Sequence, residues 1–580
     1  MGSYSVRSWS RKTFTSEKLL FVSVTLVIVY LTLPPLAMLF LSSVKSTADK
    51  LPIEPAPWTL SNYHQVLADS ETYVLLQNSL IYASGVVALS LAIAIVLVWL
   101  IERTDLPYRN LVFTLILIPL AIPGLIKAIG WSLLANPRVG VLNVVMRTWL
   151  GITADTGPVN IYSLGGIIFV STLSMVPSVV LMISGCFRNF DPALEEAGET
   201  CGVSRLRTQV LVTLPLLRPA LLGALIYYFA NALDDFQIPA VLGLSAGIRV
   251  FSTKIFLATT PTYGLPDYGL ASAYAMLLFV LAALLILFYR RTVRKPEQFA
   301  VVTGRGYQAR PIALGKWKYA ALAGIAFYLV LAAVFPLMIL LWVSMQPFLS
   351  VPSLSALGRS TAAAYVALLE MEKFRAAALN TLIVSVTVAT GVMLLSTVSA
   401  WISVRSRFWG NWIPDFLTFV NSAVPTVVFG LALMFVYLSF PFLSLYGTIW
   451  ILVIALLTRY ITYTTRLMGG AVTQIHRELE EAALASGASK SSTFLRVTLP
   501  LLLPSFVNGW LWVIIHALRE ATIAILLMTP GNVVLAALIW EKYQEAGDHS
   551  LVAAMSLLLT AASLLLTFLG RRALALYGVH

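Results

Sequence analysis

The chain has 580 residues, 59% hydrophobic and only 11% charged, where a soluble globular protein carries roughly 25% charged residues. With a mean hydropathy of +0.85, this excludes a soluble domain and places the chain in a membrane. The net charge of +13 invites a nucleic-acid reading, but its distribution argues against one. With the N-terminus inside, inner segments hold 25 Lys and Arg residues and outer ones 10, the bias that cytoplasmic loops show.

About 20 apolar residues cross a bilayer as a helix. Such stretches lie near 19–41, 75–101, 111–134, 164–186, 220–242 and 270–289, then near 319–343, 381–403, 413–438, 449–467, 506–528 and 551–569. Long unbroken runs are not the short alternating strands of a membrane barrel. The first has a basic flank but is too long for a signal peptide and lacks a clear cleavage site, so it stays as a helix. The fold class is an all-α polytopic membrane protein, about 12 helices in two parallel six-helix repeats. The halves are residues 1–290 and 319–580, joined by a cytoplasmic linker, 291–318. Arg290, Arg291, Arg294, Lys295, Arg305, Arg310, Lys316 and Lys318 cluster there.

A duplication carries the division into halves. Leu194 to Pro219 reads LEEAGETCGVSRLRTQVLVTLPLLRP, and Leu479 to Pro504 reads LEEAALASGASKSSTFLRVTLPLLLP. The blocks are 285 positions apart and identical at 14 of 26 positions. Asn78-Ser79-Leu80 likewise matches Asn380-Thr381-Leu382, at an offset of 302. The first half therefore holds 17 extra residues in that interval, best placed in an outer loop from Asn136 to Asn160. Within the first block, Asp191-Pro192 suits a helix start, Glu195 and Glu196 suit its dipole, and Gly202 suits a left-handed end. Glu480, Glu481, Gly487 and Ser489 repeat the plan. A helix, a glycine turn and a second helix on the cytoplasmic face are expected, either as a capped connector or as a docking point used twice.

These residues resemble importer-type ABC transporter permeases. Glu196-Ala197-Gly198, Gly202, Val212 and Leu214-Pro215 follow that family's loop signature, as do Glu481-Ala482-Ala483, Gly487, Val497 and Leu499-Pro500. Gly198 for Ala, and Val for the more usual Ile, are the departures. The resemblance covers nearly the whole chain. It implies a coupling helix in each loop, with Glu195, Glu196, Ala197, Gly202, Glu480, Glu481, Ala482 and Gly487 meeting an ATPase subunit. ALDDFQIPAVLG, from Ala232, and ALREATIAILLM, from Ala517, are similar to the iron(III)-type branch of double-length permeases. Relatives of similar layout move phosphonates, thiamine, polyamines or sugar phosphates.

Asp234, Asp235, Arg519 and Glu520 fall inside apolar stretches at matching positions, and such groups usually face partners or a water-filled cavity. An interhalf Arg519–Asp pair, a polar gate on the substrate pathway, or direct ligation of a hard cation are the readings. Lys127, Arg459 and Arg466 are expected to snorkel or to pair locally. Cys186 and Cys201 form neither a disulfide framework nor a zinc site. Gly315-Lys316-Trp317 is no phosphate loop, so catalytic residues, cofactor and metal are expected to be absent from this chain, with ATP and Mg on its partners. Gly243-Leu244-Ser245-Ala246-Gly247 follows a membrane helix, not the strand a nucleophile elbow needs. The expected role is an importer permease with two ATPase subunits and an extracytoplasmic binding protein, in a bacterial inner membrane with both termini cytoplasmic. The alternative is an ion-coupled secondary transporter.

Overall fold

In a computed structural model, residues 4–46, 50–188, 198, 200–260, 266–293, 311–406, 409–545 and 547–576 are described. Glu195, Glu196, Ala197 and linker residues 294–310 lie outside that set. Nine helices among the described residues are long and apolar enough to span a membrane unbroken, and up to 13 spans result if each of four sharply bent pairs counts as one. The polytopic all-α architecture follows directly. Cys186 and Cys201 are free thiols.

Four of the expected spans are not continuous. The third span of the first half divides into Arg109–Ala121 and Gly124–Ala135, bent by 88°. Its counterpart divides into Ile413–Asn421 and Thr426–Ser439, bent by 108°. The cause is Pro123 and Pro425, 302 positions apart like the Asn motif. Proline has no N–H to donate and pushes the preceding residue out of the helical region, and Ile122 is accordingly extended at φ −85° and ψ 120°. The fifth spans stop early, at Asp234 in Leu214–Asp234 and at Leu518 in Leu499–Leu518. The first half then re-enters through Pro239–Ala246 and Phe251–Thr259, bent by 80°. The second does so through Thr522–Leu526 and Leu535–Gln544.

The halves interlock through their first helices. Tyr4–Ser43 packs on its own half's last helix, Tyr268–Val293, and on the broken helix of the second half. Trp317–Ser344 packs on His549–Leu576 and on Gly124–Ala135 of the first half. The contact is close: a Cβ at Gly130 would lie 3.0 Å from Pro336. Asn421 donates to the Thr32 hydroxyl at 3.1 Å, and the Tyr30 and Tyr437 hydroxyls meet at 3.1 Å.

The Asn-Ser/Thr motif anchors the re-entrant helices. Asn78 donates to the Arg249 carbonyl at 3.2 Å and Asn380 to the Val533 carbonyl at 3.0 Å. Ser79 accepts the Phe251 N–H at 3.0 Å and Thr381 accepts the Leu535 N–H at 2.8 Å, satisfying otherwise orphaned first-turn donors. Further toward the face opposite the repeated loops, Glu71 bridges Arg249 and Lys254, each at 2.6 Å. Lys373, the counterpart of Glu71, binds Glu541. An ion pair recurs at this position of the second helix with its charges exchanged, its partner standing one turn further along the re-entrant helix.

The extra residues of the first half are ordered around Val141–Leu150. Buried Asn143 donates to Ala135, Asn136 and Val159 carbonyls and accepts the Val159 N–H at 3.0 Å.

Candidate coupling loops and interhalf polar layer

The second repeated loop forms the helix Arg477–Ala485. Its end is a Schellman motif: Ala488 N–H bonds the Ala483 carbonyl and Gly487 N–H the Leu484 carbonyl. Gly487, at φ +89°, supplies the left-handed residue this turn needs, and Gly202, at φ +82°, does so in the first copy. Val203 N–H bonds the Gly198 carbonyl there, as Ala488 does Ala483. A Cβ on Gly198 would lie 2.9 Å from Thr208 Cγ2.

The adjacent carboxylates of this loop point different ways. Glu480 faces inward, 3.3 Å from Arg405 Nε and accepting from the Thr498 hydroxyl at 2.9 Å. Glu481 and Ala482 are exposed, as are Gly487 and the apolar Leu479 (49%) and Leu484 (38%). The loop therefore presents a mixed apolar and acidic face outward and is braced from within by Glu480.

The four ionisable residues of the matching helices stand at helix ends instead of mid-helix, which is the physical reason they are tolerated. Glu520 accepts the backbone N–H groups of Thr522 and Ile523 at 2.9 and 3.3 Å, capping the segment that follows its break. Asp235 accepts from Tyr82 at 2.6 Å, within its own half.

Asp234 and Arg519 instead cross between halves. Asp234 accepts both the N–H and the hydroxyl of Thr426, the latter at 2.6 Å, where the broken helix of the second half restarts. Arg519, its counterpart, donates to the Leu120 carbonyl at the break of the first half. The expected Arg519–Asp pair is not formed. Arg459 takes that place: its Nη2 lies 3.0 Å from Asp234 Oδ2 and its Nη1 donates to the Val424 carbonyl at 3.3 Å. The expectation that Arg459 snorkels or pairs locally is thereby corrected. Desolvation inside the membrane leaves a guanidinium there needing an anion, and Asp234 is the one in reach. Lys127, buried, donates to Ser174 at 2.8 Å, and Arg466 pairs with Asp415 of its own half at 3.2 Å, both local partners.

Equivalent residues of the two halves also touch each other, marking the pseudo-twofold axis. Gln237 and Thr522, 285 positions apart, approach to 3.5 Å, and Gln237 further accepts the Leu125 N–H at 3.0 Å. Phe256 and Trp540 lie at matching places in the re-entrant helices, with ring centroids 6.2 Å apart. Phe236 packs on both, at 5.1 and 6.2 Å. The axis is filled by this aromatic group beside the polar layer. Sequence reasoning singled out Arg459 but gave it a local role, and it missed Thr426 and Gln237; the repeated Pro breaks were the signal that could have led to Thr426.

With this geometry in view, residues 90–298 and 392–576 match the family described as the binding-protein-dependent transport system inner membrane component. The chain belongs to that family. The match falls once in each half. A ferric transport system permease protein of Actinobacillus pleuropneumoniae is 24% identical over 466 residues, covering 78% of this chain and 64% of that protein. A putative ferric transport system permease protein of Haemophilus influenzae is 25% identical, covering 80% of this chain and 72% of that one. The trehalose/maltose transport system permease protein of Thermococcus litoralis is 30% identical over 280 residues, 47% of this chain and 90% of that protein. The chain is a multi-pass inner-membrane component of a binding-protein-dependent transport system.

Proposed function

We propose that this chain is the double-length permease of an ATP-driven importer for iron(III), whose cargo passes between the two halves. The ferric permeases among its relatives, similar over about four-fifths of the chain, support the solute. Hard oxygen donors such as Asp235 and Glu520 suit a hard cation as transient contacts, while Asp234 is engaged by Arg459 and Thr426. Two ATPase subunits dock on the repeated loops, one at Glu481, Ala482 and Gly487, the other at Glu195, Glu196, Ala197 and Gly202. ATP and Mg²⁺ bind to those subunits. An extracytoplasmic binding protein delivers the solute to the opposite face, and both termini are cytoplasmic. Asp234, Asp235, Arg519 and Glu520 form the gate.

One observation carries this reading: the loops recur in both halves with the same glycine turn, each joined to a fifth helix that ends in the interhalf polar layer. Movement imposed on a loop is thereby delivered to the layer. An ion-driven carrier has no use for two such loops. The test is uptake of radiolabelled iron(III) by cells lacking this gene, with and without complementation, alongside co-purification of an ATPase. Loss of iron uptake that the wild-type chain restores is expected. Intact iron uptake with loss of another solute would overturn the assignment of iron alone.

A further inference from the structure

We propose that Arg459 is the lock of this gate: through Asp234 it holds the broken helix of the second half against the first half, and the joint parts when the pathway opens. The inference rests on the gate reading above. Three separate pieces of backbone meet at this joint. Arg459 belongs to the fourth helix of the second half, Ile449–Gln474. Val424 and Thr426 flank Pro425 at the break, and Asp234 ends the fifth helix of the first half. Arg459 holds the break by the Val424 carbonyl on one side and, through Asp234, by the Thr426 N–H and hydroxyl on the other. Among the described residues, no other contacts both sides of the break and the opposite half through charge.

The equivalent joint on the other side is chemically unlike. Position 174, equivalent to 459, is a serine, and it takes the Lys127 ammonium at 2.8 Å. Arg519 replaces Asp234 and meets only a carbonyl at the first-half break, with no carboxylate within 4.0 Å among the described residues. One side is thus closed by an ion pair and a helix cap, the other by a guanidinium on a carbonyl. Separating the first exposes two opposite charges and an orphaned N–H together, and water in the opened pathway is what can satisfy all three.

The lock has a distinctive signature under substitution. Removing one charge leaves the other partly buried and unpaired, which drives the joint toward its hydrated, open form. Removing both leaves a neutral joint, in which Asn at 234 still accepts from Thr426. The complex with its co-purified ATPase is reconstituted in proteoliposomes, and passive leak of iron(III) citrate and solute-independent ATP hydrolysis are measured. Asp234→Asn and Arg459→Gln are each expected to raise leak by about tenfold or more, because one partner of a partly buried pair is left behind. The double variant is expected within about threefold of wild type, since the changes are coupled. A double variant as leaky as the singles overturns the lock. Silent singles, with Asp235→Asn or Glu520→Gln still altering transport, overturn the lock and leave the gate standing. No effect from any of the four removes the gate reading too. Should the single variants fail to assemble, the double variant decides the matter: its recovery as an assembled, tight complex is expected, and a double variant that also fails to assemble overturns the lock.

Discussion

Neighbouring acidic residues do different work in both charged pairs of this chain, because consecutive positions at a helix end face different surroundings. Asp234 reaches the other half while Asp235 stays with Tyr82 in its own. Glu480 braces Arg405, whose side chain is only 8% exposed, while Glu481 faces outward. Replacing Glu480 by Ala should therefore destabilise the protein by about 1.5–3 kcal/mol, the range for a hydrogen bond to a charged group, seen as a lower Tm in detergent. Glu481→Lys should leave Tm unchanged and reduce recovery of the ATPase in pull-downs by about tenfold, roughly 1.4 kcal/mol of binding. The reverse pattern would exchange their roles. The repeated block made both glutamates visible in the sequence, but not their direction. That depends on Arg405 and Thr498, which lie far from Glu480 along the chain or beyond the turn.

At the scale of elements, apolar stretches disclosed where the chain meets lipid but not where its helices stop. Apolar residues predominate on both sides of Pro123 and Pro425, so hydrophobicity carries through the breaks. The structural cost of a break is met by distant groups: Asp234 at Thr426, Gln237 at Leu125, Arg519 at Leu120. Those partners come from the opposite half or from another span, and no local pattern announces them. The Asn-Ser/Thr motif was legible as a repeat, yet its use in holding a re-entrant helix was not. Asn380→Ala, which strands the Val533 carbonyl, and Thr381→Val, which strands the Leu535 N–H, should each cost about 1–3 kcal/mol. Faster amide exchange confined to Leu535–Gln544 is the expected result; uniform acceleration across the second half would show that the anchor is not local.

For the whole molecule, the basic bias of the linker side sets an orientation that labelling can check. Single cysteines at Ser486 in the second repeated loop, and at Ser355 and Gly547 on the opposite face, are all at exposed positions. An impermeant thiol reagent added to intact cells should modify the latter two and spare Ser486→Cys. Modification of Ser486→Cys alone would invert the topology. The duplicated, polytopic all-α architecture was legible because the repeat and the long apolar stretches extend over hundreds of residues. The exchange of first helices between halves was not, since it follows from packing such as Gly130 against Pro336.

The exchanged charges of the two rim braces bear on how a duplicated chain sorts itself while folding. Its halves are similar enough that a re-entrant helix could seat on the wrong second helix. Seated wrongly, Phe251–Thr259 would bring Lys254 to Lys373, and Leu535–Gln544 would bring Glu541 to Glu71. Both mismatches set like charges together, whereas both native seatings set unlike charges together. The reversal acts as a pair of keys cut in opposite senses, so that two copies of one ancestral plan can share a single polypeptide without trading parts at this position.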